Sequence, residues 1–103
     1  MITKEVEMDC DLAIDYIKKN VNAHDILELS YNRVFTPGEV LSIDTSEYNG
    51  KEGLKVIIHV SEDTFTSTVE VDVEEIKDDL IEVTHIPKNK DEKTVILIEK
   101  CEL

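Results

Sequence analysis

Basic residues are scarce. Eleven Lys and Arg face twenty-four Asp and Glu in 103 residues, a formal net charge of −13. Nucleic acid and anionic membranes are gripped through Lys and Arg, so this balance argues against direct binding to either. Glycine and proline are sparse, at three and two, which leaves no composition for a linker. No low-complexity tract or internal repeat is present. No apolar run approaches the roughly 18 residues of a membrane span. The first twenty residues carry Lys4, Glu5, Glu7, Asp9, Asp11 and Asp15, so no secretory leader is read there. Only two cysteines occur, Cys10 and Cys101, near opposite ends. The expectation is a cytoplasmic protein with reduced thiols and buried free Cys.

Signatures of chemistry are missing too. Cys10, His24, His59, His85 and Cys101 follow no C-x-x-C or H-x-x-x-H spacing. The one convergence to test is His59, His85 and Cys101, should their strands be neighbours. Asp9-Cys10-Asp11 runs into apolar residues and lacks the glycine of a calcium loop. There is no G-x-S-x-G and no Gly-rich phosphate loop. Carboxylates abound, but acid–base catalysis needs a cleft that shifts them. The expectation is a non-enzyme with no cofactor and no metal.

What is present is regular periodicity at 41% hydrophobic content, which argues against disorder. Residues 1–103 read as one domain, able to build a core without metal or disulfide. Met1 to Met8 alternates weakly and reads as an edge strand or a lead-in. Cys10 to Val21 reads as a helix, capped by Asp9 or Asp11, with Leu12, Ala13, Tyr16, Ile17 and Val21 on one face. Asn20 to Asp25 is a break. Ile26 to Phe35 groups as a strand or as a helix, and its β-branched and aromatic content favours strand. Thr36-Pro37-Gly38-Glu39 fits a type II turn or a capping box, and the β-prone Val40-Leu41-Ser42-Ile43 after it favours the turn. A strand to Ser46 and a loop turning at Asn49-Gly50 follow.

The clearest pattern lies between Leu54 and Glu82. Leu54 to Val60 is an apolar strand, and Ser61 to Thr64 a polar break. Then Phe65, Ser67, Val69, Val71 and Val73 alternate with Thr66, Thr68, Glu70, Asp72 and Glu74. This is a β-hairpin with one buried and one carboxylate-bearing face. A short acidic helix over about 73–80, a strand from Ile81 to Ile86 and a last strand from Thr94 to Cys101 complete the chain. Apolar residues on both faces of 95–98 place that last strand centrally. The expected fold is α+β: an N-terminal helix packed on a mostly antiparallel sheet of five to six strands, with a second short acidic helix.

Charge is uneven. Residues 62–82 hold nine Asp and Glu against Lys77 alone, while 83–103 is balanced. Strand geometry repeats Glu70 and Asp72 about every 6.7 Å. The helix pairs Glu74 with Asp78 and Glu75 with Asp79 at i, i+4, where like charges are unfavourable. Size, acidity and element order are similar to small phage-encoded inhibitors, such as the inhibitor of uracil-DNA glycosylase and several anti-CRISPR proteins. No motif residue carries over from them. The similarity implies a phage- or mobile-element-type inhibitor. It would occupy the nucleic-acid-binding surface of a basic protein such as a nuclease by mimicking DNA. The partner-binding residues would be Glu62, Asp63, Glu70, Asp72, Glu74, Glu75, Asp78, Asp79 and Glu82, with Thr66 and Thr68 beside them. The alternative is a small assembly domain, monomer or homodimer, acting through a sheet edge.

Overall fold

The architecture comes from a computed structural model, described for residues 1–47, 50–62 and 65–99 and without the side chains of Glu62 and Phe65. Strand β1 (Ile2–Met8) leads into helix α1 (Cys10–Asn20). Strands β2 (Ile26–Tyr31), β3 (Val34–Asp44), β4 (Lys55–Glu62) and β5 (Phe65–Asp72) follow. One turn of helix, α2 (Val73–Ile76), and a 3-10 turn at Lys77–Asp79 lead to β6 (Leu80–Ile86) and β7 (Glu92–Ile98).

All seven strands form one sheet in the order β1-β7-β6-β2-β3-β4-β5. The β1–β7 pair is parallel and the other pairs are antiparallel, so the sheet is mixed. This corrects the expected five-to-six-strand, mostly antiparallel sheet with its N-terminal helix and acidic second helix. Two physical causes stand out. First, β1 has almost no buried side chain to advertise it, because it is held by backbone pairing to β7 along Ile2–Met8. Second, the chain reverses at Asn32-Arg33, not at Pro37-Gly38. Both turn residues have positive φ, 38° and 67°, the geometry of a two-residue hairpin that twists with its strands.

Pro37 and Gly38 therefore lie inside a strand. Pro37 faces Glu28 on β2, and the ladder to β4 begins only at Glu39, so the missing N–H interrupts nothing there. Gly38 serves a close approach: a Cβ would stand 2.2 Å from the carbonyl oxygen of His59. A register shift between Val40 and Ser42 bends the same strand. The β4–β5 hairpin does follow the alternation read from the sequence, with Val56 opposite Val71 and Ile58 opposite Val69. The turns expected at Asn49-Gly50 and Ser61–Thr64 involve Asn49, Asp63 and Thr64, which lie outside the described residues. Strand β7 is second from an edge, not central.

Asp9 caps α1, accepting from the Leu12 N–H at 2.8 Å. Asp11 in the first turn and Lys18 and Lys19 in the last complement the helix dipole. The buried stripe is Cys10, Ala13, Ile14 and Ile17, whereas Leu12 is 55% exposed, so the face is turned one position from the one read above. Ala13, Ile14 and Ile17 join Leu27, Leu29, Val40, Val56, Ile58, Val83 and Ile96 in a single core. Cys10 is fully buried and disulfide-bonded, which corrects the expected reduced thiol. The other cysteine, Cys101, lies outside the described residues.

Candidate functional site

Strand alternation puts His85 on the core side of β6, opposite Leu27 of β2 and Thr94 of β7. A histidine there replaces an apolar side chain and needs partners. Tyr16, two turns into α1, supplies one: its hydroxyl lies 2.8 Å from His85 Nδ1. Their rings meet edge to face, with centroids 5.6 Å apart at 77°. Asp25 supplies the other, with Oδ2 2.8 Å from His85 Nε2.

Asp25 is placed by a tight turn. His24 adopts φ 78°, unusual for a non-glycine residue. Its N–H donates to the Val40 carbonyl at 2.7 Å, and the Val40 N–H donates to the Asp25 carbonyl at 2.8 Å. His24 Nδ1 also lies 2.8 Å from Glu39 Oε2. These contacts clamp residues 24–25 to β3. The Asp25 carboxylate then accepts from the N–H of Asn22 and of Lys88, each at 3.0 Å.

The donors assign themselves. Ionised Asp25 only accepts, so His85 Nε2 carries a proton. In the neutral ring Nδ1 is then the acceptor, and Tyr16 O–H donates to it. Burial alone would raise the Asp25 carboxyl. The hydrogen bond from His85 and those from the Asn22 and Lys88 N–H groups outweigh it and hold the carboxyl below its usual range. Asp25 and His85 are 5% and 2% exposed, and among the described residues no buried side-chain N or O lacks a partner.

This chain of bonds opens on a cavity of about 600 Å³. Val6, Met8 and Thr94 contribute from β1 and β7, Tyr16 and Asn20 from α1, and Asn22 from the turn. Pro87, Lys88, Asn89 and Lys90 of the β6–β7 hairpin close another side. Lys4 and Glu92 pair at 2.8 Å on the rim. The lining is largely polar, with Val6, Met8, Ala23 and Pro87 as its apolar members, and its polar groups converge on one concavity, as they do where a small polar molecule is oriented.

The acidic residues singled out in the sequence sit elsewhere. Glu70, Asp72 and Glu75 line a smaller concavity with Tyr31 and Lys55. Asp72, Glu74 and Glu75 also line an adjoining one, together with Lys51, Lys55 and Lys77. Asp72 caps α2, accepting from the Glu75 N–H at 3.2 Å. Lys77 bonds Asp11 at 3.3 Å, and Asp11, with Glu74 and Asp78, keeps its ammonium protonated beyond the usual range. Three lysines thus interrupt the row of like charge. Asp78 and Asp79 are exposed on the 3-10 turn, and Glu82 is half-buried on β6, with three strands, β2, β3 and β4, between it and β5. Glu62 lies at the end of β4 without a described side chain, and Asp63 is outside the described residues. Thr66 and Thr68 are exposed on β5.

Of the soft ligands His59, His85 and Cys101, the two histidines do not come together, and Cys101 lies outside the described residues. His59 pairs with Glu39 and Thr68 on the opposite side of the sheet from His85, and β2 and β3 separate their strands. No group of three or more His, Cys, Asp or Glu among the described residues is arranged to hold a metal. No helix among them is long and apolar enough to cross a membrane.

Residues 4–97 match the model of a family described as an uncharacterized protein conserved in archaea (DUF2097). The chain belongs to that family. Every cavity residue named above falls within the matched span. No curated protein and no solved structure matches the chain.

Proposed function

We propose that this protein is a non-enzymatic binder of a small molecule, held in the cavity over Tyr16, His85 and Asp25. The observation that carries the reading is the buried, hydrogen-bonded His85–Asp25 pair, extended by the half-buried Tyr16 to a cavity. Removing a carboxylate and an imidazole from water costs several kcal/mol before partners repay it. An apolar residue at position 85 would serve the core alone. Buried titratable groups that reach a cleft are characteristic of functional sites. Tyr16 is the member placed to touch a ligand, and Asn20, Asn22 and Asn89 supply further donors and acceptors. The reading places the protein in the cytoplasm, where disulfides such as that of Cys10 have precedent in hyperthermophilic archaea.

The test is to follow backbone amide resonances while adding a panel of phosphorylated, carboxylated and uncharged metabolites. Shifts gathered on Tyr16, Asn22, His85 and Lys88 to Lys90 support the reading. Shifts gathered elsewhere refute it.

A second reading keeps the acidic surface as a docking face for a basic, nucleic-acid-handling protein. The convergence of Glu70, Asp72, Glu74 and Glu75 around adjoining concavities supports it. Reversing Glu70, Asp72, Asp78 and Asp79 to Lys should then abolish capture of the partner. A captured partner that keeps full affinity for DNA would exclude mimicry. Association through the sheet edge is the remaining alternative, supported by the exposed edge strand β1. A solution mass that does not rise with concentration at high salt removes it.

A further inference from the structure

Lys4, Lys88 and Lys90 rim the cavity of a protein that is otherwise strongly acidic. The acids lining it are Asp25 and Glu92, so three lysines meet two carboxylates, in a chain of −13. Lys88 and Lys90 form no salt bridge among the described residues. Asp25 is 5% exposed and its oxygens accept from His85, Asn22 and Lys88. Glu92 is engaged by Lys4. The charge left to meet a ligand is therefore positive.

We infer that the cavity takes a small molecule bearing a tetrahedral oxyanion, a phosphate or sulfate group, and that its binding takes up one proton through His85 and Tyr16. The inference rests on the cavity being the binding site. With His85 neutral, Tyr16 donates its only hydroxyl proton to Nδ1. Its oxygen then shows the cavity lone pairs alone, which repel an oxyanion. When the imidazole gains a proton from solvent, both ring nitrogens donate: Nε2–H to Asp25 and Nδ1–H to the Tyr16 oxygen. The Tyr16 O–H is freed to turn toward the anion. Neither Tyr16 nor Asp25 loses or gains a proton, and the site gains one positive charge.

The groups facing this chain come from every neighbouring element: Tyr16 from α1, Asp25 from the turn, Lys88 and Lys90 from the hairpin, Lys4 from β1 and Glu92 from β7. The hydrogen bond and charge of Glu92 raise Lys4, and Lys4 in turn lowers Glu92. With Asp25 also lowered, these three keep their charges between about pH 6 and 8, where histidine is the side chain that ordinarily titrates. The apolar side chains of Val6 and Met8, which line the same cavity, suit the uncharged body of such a ligand.

The experiment is calorimetric titration of the full chain with sodium sulfate, which does not itself titrate in this range, in two buffers of different ionisation enthalpy. Proton linkage requires affinity to fall about tenfold per pH unit where uptake is complete, with about one proton taken up per sulfate. Tyr16→Phe keeps the ring against His85 and should retain its fold by circular dichroism. It is expected to weaken sulfate binding at least fivefold at pH 6 and to remove most of the uptake. Lys88→Gln combined with Lys90→Gln should weaken binding at every pH and leave the uptake per sulfate. Sulfate binding without proton uptake, or uptake unchanged in Tyr16→Phe, overturns the inference. Sulfate that fails to bind while an uncharged metabolite shifts the cavity resonances overturns the oxyanion alone. Failure of every ligand class at the cavity removes the binding reading as well.

Discussion

His85 and its two partners concentrate the energetic risk of this fold. Asp25 and His85 are 60 residues apart and Tyr16 and His85 are 69 apart, so no local spacing could reveal them. Asp25 reads as part of a break, His85 as a soft ligand in an apolar run, and Tyr16 as one more residue on a helix face. Only the polarity of a histidine between Val83 and Ile86 hinted at a demand for partners. Asp25→Ala leaves His85 Nε2–H and the N–H groups of Asn22 and Lys88 without their acceptor. It should destabilise the protein by about 3 kcal/mol in denaturant unfolding. Asp25 also sets a pH dependence. Its folded value lies below its unfolded one, so its stabilising contribution is complete above the unfolded value near 3.8 and is lost as pH falls through the folded value. Unfolding free energies of Asp25→Asn should accordingly vary less with pH below about 5 than those of the unaltered protein.

Among the elements, the hairpin β4–β5 was legible because its alternation is strict and one face is all valine beyond Ser67. Strands β2 and β3 were legible as strands but not in where the chain reverses between them, because their turn lacks glycine while Pro37-Gly38 imitates one. Arg33→Gly relieves a side chain at φ 67° and should stabilise by roughly 0.5–1 kcal/mol. Gly38→Ala should do the reverse, since its methyl would collide with the His59 carbonyl and force β3 from β4, at about 1–3 kcal/mol. Opposite effects of these two substitutions, read as shifts in melting temperature, distinguish the observed turn from one at Pro37-Gly38. Helix α1 was legible in extent but not in rotation. Both Leu12 and Ile14 are apolar, and only packing decides that Ile14 is buried.

Across the whole molecule, charge was legible in amount and not in arrangement. The sequence predicts an acidic stretch, and tertiary contacts set Lys51, Lys55 and Lys77 into it and gather Lys4, Lys88 and Lys90 at the opposite function, the cavity rim. At −13 the molecule repels itself, so raising salt from about 20 to 200 mM should raise its melting temperature. The proposed function depends on a proton-bearing chain from Asp25 through His85 to Tyr16 that serves the cavity. The ring nitrogens of His85, observed by long-range nitrogen–proton correlation at neutral pH, test it most directly. The expected result is a protonated Nε2, a bare Nδ1 whose resonance moves in Tyr16→Phe, and a second movement when the cavity is occupied. A proton on Nδ1 with Nε2 bare, or ring resonances indifferent to both Tyr16→Phe and ligand, would contradict it.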